Sequence, residues 1–291
     1  MARTMVKRAF KNSVVVLYHN DFHKINISNL GALENNLLFS IFKKLSLTDE
    51  VSLDIHKLND MIYERQRKLR VKEVKEVAEN LYKNFFGLNF QIIYPKSVKF
   101  IHLFSTMELT YADEEKNELS GLNIKINPDF KYLLQEISYQ FTAFSLLEFK
   151  SLKSRYSKTI FRLLSQYSGT GVWRINYNSF CKLLGVPLYY NFALVNYRII
   201  KPSVKEISQF IDNLKVRFIK ERGDDGKLRV SVIEVKFKPF KAQKNGDKEL
   251  LALDNAKRYI KRDIIANEAK NRPNADNHIL LDKLTEKMVK L

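Results

Sequence analysis

Arg198, Lys201 and Lys205 recur at spacings of three and four, so on a helix they share one face. Cations in such a row do anion chemistry: they neutralise phosphates, and Arg or Lys also fits the guanine edge in a DNA major groove. Asn196 and Tyr197 stand just before the row, and an Asn amide matches adenine. Arg155, Lys158 and Arg162 repeat the same spacing upstream, and Lys220, Arg222, Lys227 and Arg229 flank the turn RGDDG downstream. These rows fit phosphate contact or a solvated face. From 149 to 205 there are ten Lys and Arg and no Asp or Glu. A face laid along phosphates must lack carboxylates, which would repel them and cancel counterion release.

Spacing argues against other chemistry. A rolling-circle nickase needs a metal-binding His-x-His pair and a nucleophilic tyrosine, and the five histidines, at 19, 23, 56, 102 and 278, contain no such pair. His19 and His23 lie four apart with no further ligand nearby, which fits surface or core positions. No G-x-x-x-x-G-K-[ST] loop occurs to cradle a nucleotide phosphate. The single Cys181 can form neither an internal disulfide nor a multi-cysteine metal site, and its setting FCKLL reads as a small hydrophobe on a helix. The expectation is a protein that is not an enzyme, with no catalytic residues, metal or cofactor.

The elements that carry the cations are legible. In SLKSRYSKTIFRLLSQY, the stripe Leu152, Tyr156, Ile160, Leu163 and Tyr167 predicts a helix, ended by Gly169 and Gly171. VWRIN alternates as a strand with Trp173 inward; NSFCKLL is a second helix, capped by Asn178 or Ser179 and closed by Gly185. VPLYY makes a turn. A third helix, NFALVNYRIIKPSVKEISQFI, turns Ile200, Val204, Ile207 and Ile211 inward and is kinked or restarted at Pro202. LKVRFIKE and KLRVSVIEVKF then form a hairpin about RGDDG. Helix, strand, helix, turn, helix, hairpin is the order of a winged helix, whose exposed helix can enter the major groove.

The same order occurs upstream. NLGALENNLLFSIFKKL is an amphipathic helix, VSLDIHKLNDMIY a strand and helix, and VKEVKEVAENLYKNFF a long helix. Strands LNFQIIY, VKFIHLFSTMELTY and GLNIKIN follow, so the architecture is duplicated. Glu73, Glu76 and Glu79 give the long helix of this copy a mixed face suited to solvent or a partner, and ERQRKLR places Arg65, Arg67, Lys68 and Arg70 at its entrance, where phosphate contact is plausible.

Composition agrees. The chain of 291 residues carries a formal charge of +18, and 45% of its residues are hydrophobic, enough for about two globular domains. Residues 145–240 hold 18 basic and 7 acidic side chains, against 20 and 17 in 1–144 and 12 and 8 in 241–291. No apolar run approaches the roughly 18 residues of a membrane span, and VVVLY is too short for a signal-peptide core, so a cytoplasmic protein with no membrane partner is expected.

LKSRYSKTIFRLLSQY, the strand VWRIN, FCKLLGV, and YRIIKPSVKEI with its hairpin together resemble the second winged-helix domain of bacterial plasmid replication initiators, the iteron-binding Rep proteins. NISNLGALENNLLFSIFKKL is similar to the opening helix of their first domain, so the likeness covers about residues 12 to 240. The resemblance implies an initiator that binds double-stranded DNA at directly repeated origin sites, promotes opening nearby and recruits host replication proteins such as a helicase or initiator. It also implies a homodimer in equilibrium with monomer, the dimer repressing its own gene, in a plasmid- or nucleoid-associated protein. By position the recognition segment runs from Tyr189 to Lys205 and opens with Tyr189, Tyr190 and Asn191. Where relatives carry adjacent arginines, this chain has Asn196, Tyr197 and Arg198.

The expected fold is α+β: two tandem winged-helix (helix-turn-helix) domains, 1–144 for dimerisation and secondary DNA contact and 145–240 as main DNA reader, then a basic helical or partly disordered tail, 241–291. The alternatives are a winged-helix transcriptional repressor and a basic scaffold that binds an acidic protein partner.

Overall fold

The computed structural model describes residues 14–63, 69–85, 89–94, 96–135, 137, 140–223 and 225–240. The expected tail at 241–291 and the basic residues Arg65, Arg67 and Lys68 lie outside them. In the first unit, α1 (Ala32–Leu45) buries Leu37, Leu38, Ile41 and Leu45, as its spacing requires. Strand β2 (Glu50–Asp54) leads into α2 (Ile55–Ile62), where the Asp54 carboxylate caps the helix by accepting from the Lys57 N–H at 2.8 Å. Helix α3 (Val71–Phe85) follows. A two-stranded hairpin, β3 (Asn89–Tyr94) and β4 (Ser97–His102), precedes β5 (Phe104–Tyr111) and β6 (Leu119–Ile126). The long strand expected over VKFIHLFSTMELTY is two strands. They divide at the fully buried Leu103, and only β5 joins the sheet of this unit, in the order β2-β6-β5.

The second unit repeats the plan. Helix α4 (Lys131–Leu134), β7 (Phe141–Ser145) and α5 (Leu146–Ser151) lead into α6 (Arg155–Gln166), β8 (Val172–Asn176) and α7 (Tyr177–Leu184). The recognition segment comprises α8 (Phe192–Val195), a π turn (Asn196–Ile200) and α9 (Lys201–Ile207), with β9 (Lys215–Arg222) and β10 (Leu228–Lys236) as the wing. Its sheet order, β8-β10-β9, matches that of the first unit strand for strand. Trp173 is buried and meets Phe180, as its place in VWRIN requires. The cap of α7 is Asn176, not Asn178 or Ser179: its side chain accepts from both of those residues' N–H groups, so the helix begins two residues early.

Helical backbone continues through Pro202. Proline offers no N–H, and the strain is taken up one step earlier, where the Lys201 N–H reaches back five residues to the Asn196 carbonyl. Gly185 ends α7 with φ of 59°, and a Cβ there would lie 2.9 Å from the Ser28 Cβ of the first unit. Gly185→Ala combines a left-handed backbone with that clash and should cost about 1–2 kcal/mol, read from chemical denaturation.

The two units share one core. Strand β7 pairs antiparallel with β1 (Val15–His19), and α6 packs on β7. The Phe144 ring of β7 meets Phe39 of α1 at 5.5 Å and Phe161 of α6 at 6.0 Å. The expected boundary at 144–145 falls inside β7.

Candidate nucleic-acid interface

The recognition segment is positioned by its cap and by aromatic stacking. Asn191 opens α8 by accepting from the Leu194 N–H at 3.0 Å. Phe192 then meets Tyr177 of α7 at 5.8 Å and Phe218 of the wing at 4.9 Å, which joins the recognition segment and the wing to one scaffold. Ile199, Ile200 and Ile207 face the core, and Ser203 crosses α6 closely enough to hydrogen-bond Ser157 at 3.1 Å, both side chains buried.

The outer face carries the expected groups. Tyr197, Arg198, Lys201 and Lys205 are exposed, and Asn196 is half-buried. Tyr189 is 79% exposed in the preceding turn, while Tyr190 is half-buried and accepts a hydrogen bond from Arg198. Lys220, Arg222 and Lys227 are exposed on the wing. Arg229 is exposed but engaged: its two Nη groups donate to the Asp225 carboxylate at 2.9 and 2.5 Å, which holds that carboxyl below the usual range. Two exposed cations of β9, Lys215 and Arg217, escape the sequence reading, although the alternation of KVRF around inward Val216 and Phe218 marks them. So does Leu188, whose side chain projects fully into solvent beside Tyr189. The acids that bracket the acid-free run are turned to structural use: Glu206 accepts from the Lys153 N–H at 2.9 Å, and Glu148 lies in the first turn of α5.

The upstream basic row is elsewhere. Lys158 and Arg162 are each 1% exposed, so neither can touch a phosphate. Arg162 is covered by Phe22 and Phe39 of the first unit, and Lys158 by Phe149 of α5. Lys158 Nζ donates to the Phe149 carbonyl at 2.6 Å and lies 4.6 Å from that residue's ring centroid. Burial lowers its pKa to about 7, Glu206 opposing the shift and Lys150 adding to it. The Arg162 guanidinium sits over the rings of Phe22 and Phe39, at 5.3 and 5.8 Å, and its Nε and Nη1 find no acceptor. Arg155 is half-buried and gives Nη1 to the Ser28 carbonyl at 2.6 Å and Nη2 to the Gly185 carbonyl and the Tyr156 hydroxyl. Arg155 and Arg162 form an internal brace between the units, and Lys158 ties α6 to α5 within the second. Arg70 stays exposed at the start of α3, its N–H donating to Glu73 at 2.8 Å.

His23 belongs to the brace. Its Nε2 lies 3.0 Å from the Thr142 hydroxyl, and burial, assisted by the Arg162 charge, lowers its pKa from 6.5 to about 2. The unfolded chain therefore takes up a proton below pH 6.5 that the folded chain refuses, and stability falls with acidification. Relative to His23→Gln, the protein should lose about 2 kcal/mol between pH 6.5 and 5, at about 1.4 kcal/mol per pH unit. Glu148, raised by burial to about 7, has the opposite sign in this window, so the wild-type-minus-variant difference in denaturation free energy is the quantity to measure.

Comparison with known proteins agrees with this architecture. Residues 15–165 match the family described as Initiator Replication protein, WH1, and residues 177–239 match Initiator Rep protein, WH2. A probable replication protein rep from Bifidobacterium longum (strain NCC 2705) is 27% identical over 198 residues, which cover 66% of this chain and 64% of that protein. The chain thus spans just under two thirds of that relative's length. The crystal structure of Pi initiator protein in complex with iteron DNA superimposes with a TM-score of 0.55 at 11% identity, covering 79% of this chain and 99% of that one. That likeness is one of fold. With both winged-helix units matched in order over more than half its length, the chain belongs to the family of initiator replication proteins.

Proposed function

We propose that the protein is a plasmid replication initiator that binds directly repeated double-stranded DNA through the recognition segment and wing of its second unit. The observation that carries the reading is the outer face of the π turn and α9, which presents Arg198, Lys201 and Lys205 to solvent in a stretch without carboxylates. Binding there neutralises phosphates, and Arg198 reads a guanine edge. Opening of the adjacent duplex, recruitment of host helicase or initiator proteins, and a repressing homodimer held through the first unit are part of the same proposal and rest on family membership. Plasmid binding inside a bacterial cytoplasm follows from that role.

The test is competition between DNA flanking the protein's own gene and a scrambled duplex of equal length, at two salt concentrations. Preference for short direct repeats, with affinity falling steeply as salt rises, is the expected result. Preference for a single inverted site would favour a transcriptional repressor, and equal binding of both duplexes would favour a scaffold for an acidic partner. Arg198→Ala should lower specific binding by about 1–3 kcal/mol and relax the preference at one base position. An unchanged preference profile would remove Arg198 from base reading.

A further inference from the structure

Arg198 does not stand free on its helix. Its Nη1 donates to the Tyr190 phenol oxygen at 3.1 Å, and its guanidinium carbon lies 5.5 Å from the centroid of the same ring. Tyr190 is itself fixed. Its N–H donates to the Pro187 carbonyl at 2.9 Å, its ring packs half-buried against the core, and Tyr189 meets it edge-on at 5.0 Å. The contact therefore ties the turn before α8 to the π turn in the middle of the recognition segment.

Two physical consequences follow from this arrangement. An exposed arginine samples many rotamers, and the freedom lost on binding weakens affinity; a side chain already held by a fixed partner has lost much of it on folding. The hydrogen bond to Tyr190 uses one of five N–H donors, which leaves a pair for the bidentate guanine contact. We infer that Tyr190 is a positioning residue that sets the orientation of Arg198 and through it the base preference of the protein. The inference rests on the DNA-reading role proposed above. Tyr190 acts through Arg198, with no base contact of its own.

Tyr190→Phe keeps the ring and removes only the hydroxyl. Binding to the repeat and to scrambled DNA should be measured for wild type, Tyr190→Phe, Arg198→Ala and the double variant, with thermal melting as a check on folding. Tyr190→Phe should weaken repeat binding about three- to tenfold and leave scrambled binding and the salt slope unchanged. In the Arg198→Ala background it should have no further effect, because the group it orients is gone. An equal loss with and without Arg198 would overturn the inference and make Tyr190 a direct contact. No loss in either background would overturn it too. Failure of the DNA-reading proposal looks different: wild type itself then shows no preference for the repeat, and the inference falls with it.

Discussion

Arg162→Ala should lower folding stability while the salt dependence of DNA binding keeps its wild-type slope. The side chain is 1% exposed, lies over Phe22 and Phe39, and has two N–H groups without acceptors. Alanine leaves a void under those rings, whereas methionine fills it and brings no charge to desolvate. Arg162→Met should therefore exceed Arg162→Ala in stability by about 2–5 kcal/mol and should equal or surpass the wild type. Urea denaturation of the three proteins gives the comparison. A phosphate contact would behave otherwise: either substitution would lower the slope of log K against log salt by about 0.9.

Removing Lys201, Lys205, Lys220 and Arg222 together should have the reverse signature. All four are exposed, on α9 and on the wing. If each neutralises one phosphate, their replacement by alanine lowers the salt slope by about 3 to 4 units. Affinity near physiological salt should fall by about three orders of magnitude for repeat and scrambled DNA alike. Stability should change little, since exposed side chains away from caps and ion pairs contribute within about 0.5 kcal/mol. Titrations over a range of salt concentrations separate the two outcomes. A loss confined to the repeat would mean that these groups read bases.

The second unit is legible in the sequence because local signals agree. The apolar stripe of α6, the alternation of VWRIN, Gly185 after α7 and the inward isoleucines of the π turn and α9 each specify one element, and their order specifies the winged helix. The same reasoning misplaced Lys158 and Arg162. A basic row opposite an apolar stripe is the pattern of a solvated or DNA-facing helix, and periodicity carries no information about what is laid over that row: Phe149 of the preceding helix over Lys158, and Phe22 and Phe39, more than a hundred positions away, at Arg162. The small side chains Ser157, Thr159 and Ser165, all buried in the structure, are the hint the same helix carries, since they permit close approach on several faces. The long strand in the first unit failed for another reason. An uninterrupted run of strand formers does not reveal where pairing partners change, and Leu103 is the residue at which they do.

Helix α6 of the second unit is anchored on the first: Arg162 lies over Phe22 and Phe39, Arg155 holds the Ser28 carbonyl, and one continuous apolar cluster runs through both. Architectural repetition here does not create two autonomous folding units. Withdrawing α6 would expose aromatic surface on the first unit and strip the second of its opening helix, so heat or denaturant should melt both in a single cooperative transition. The same coupling means that damage to either copy is shared by the whole, and a truncated second unit is a poor surrogate for the intact protein.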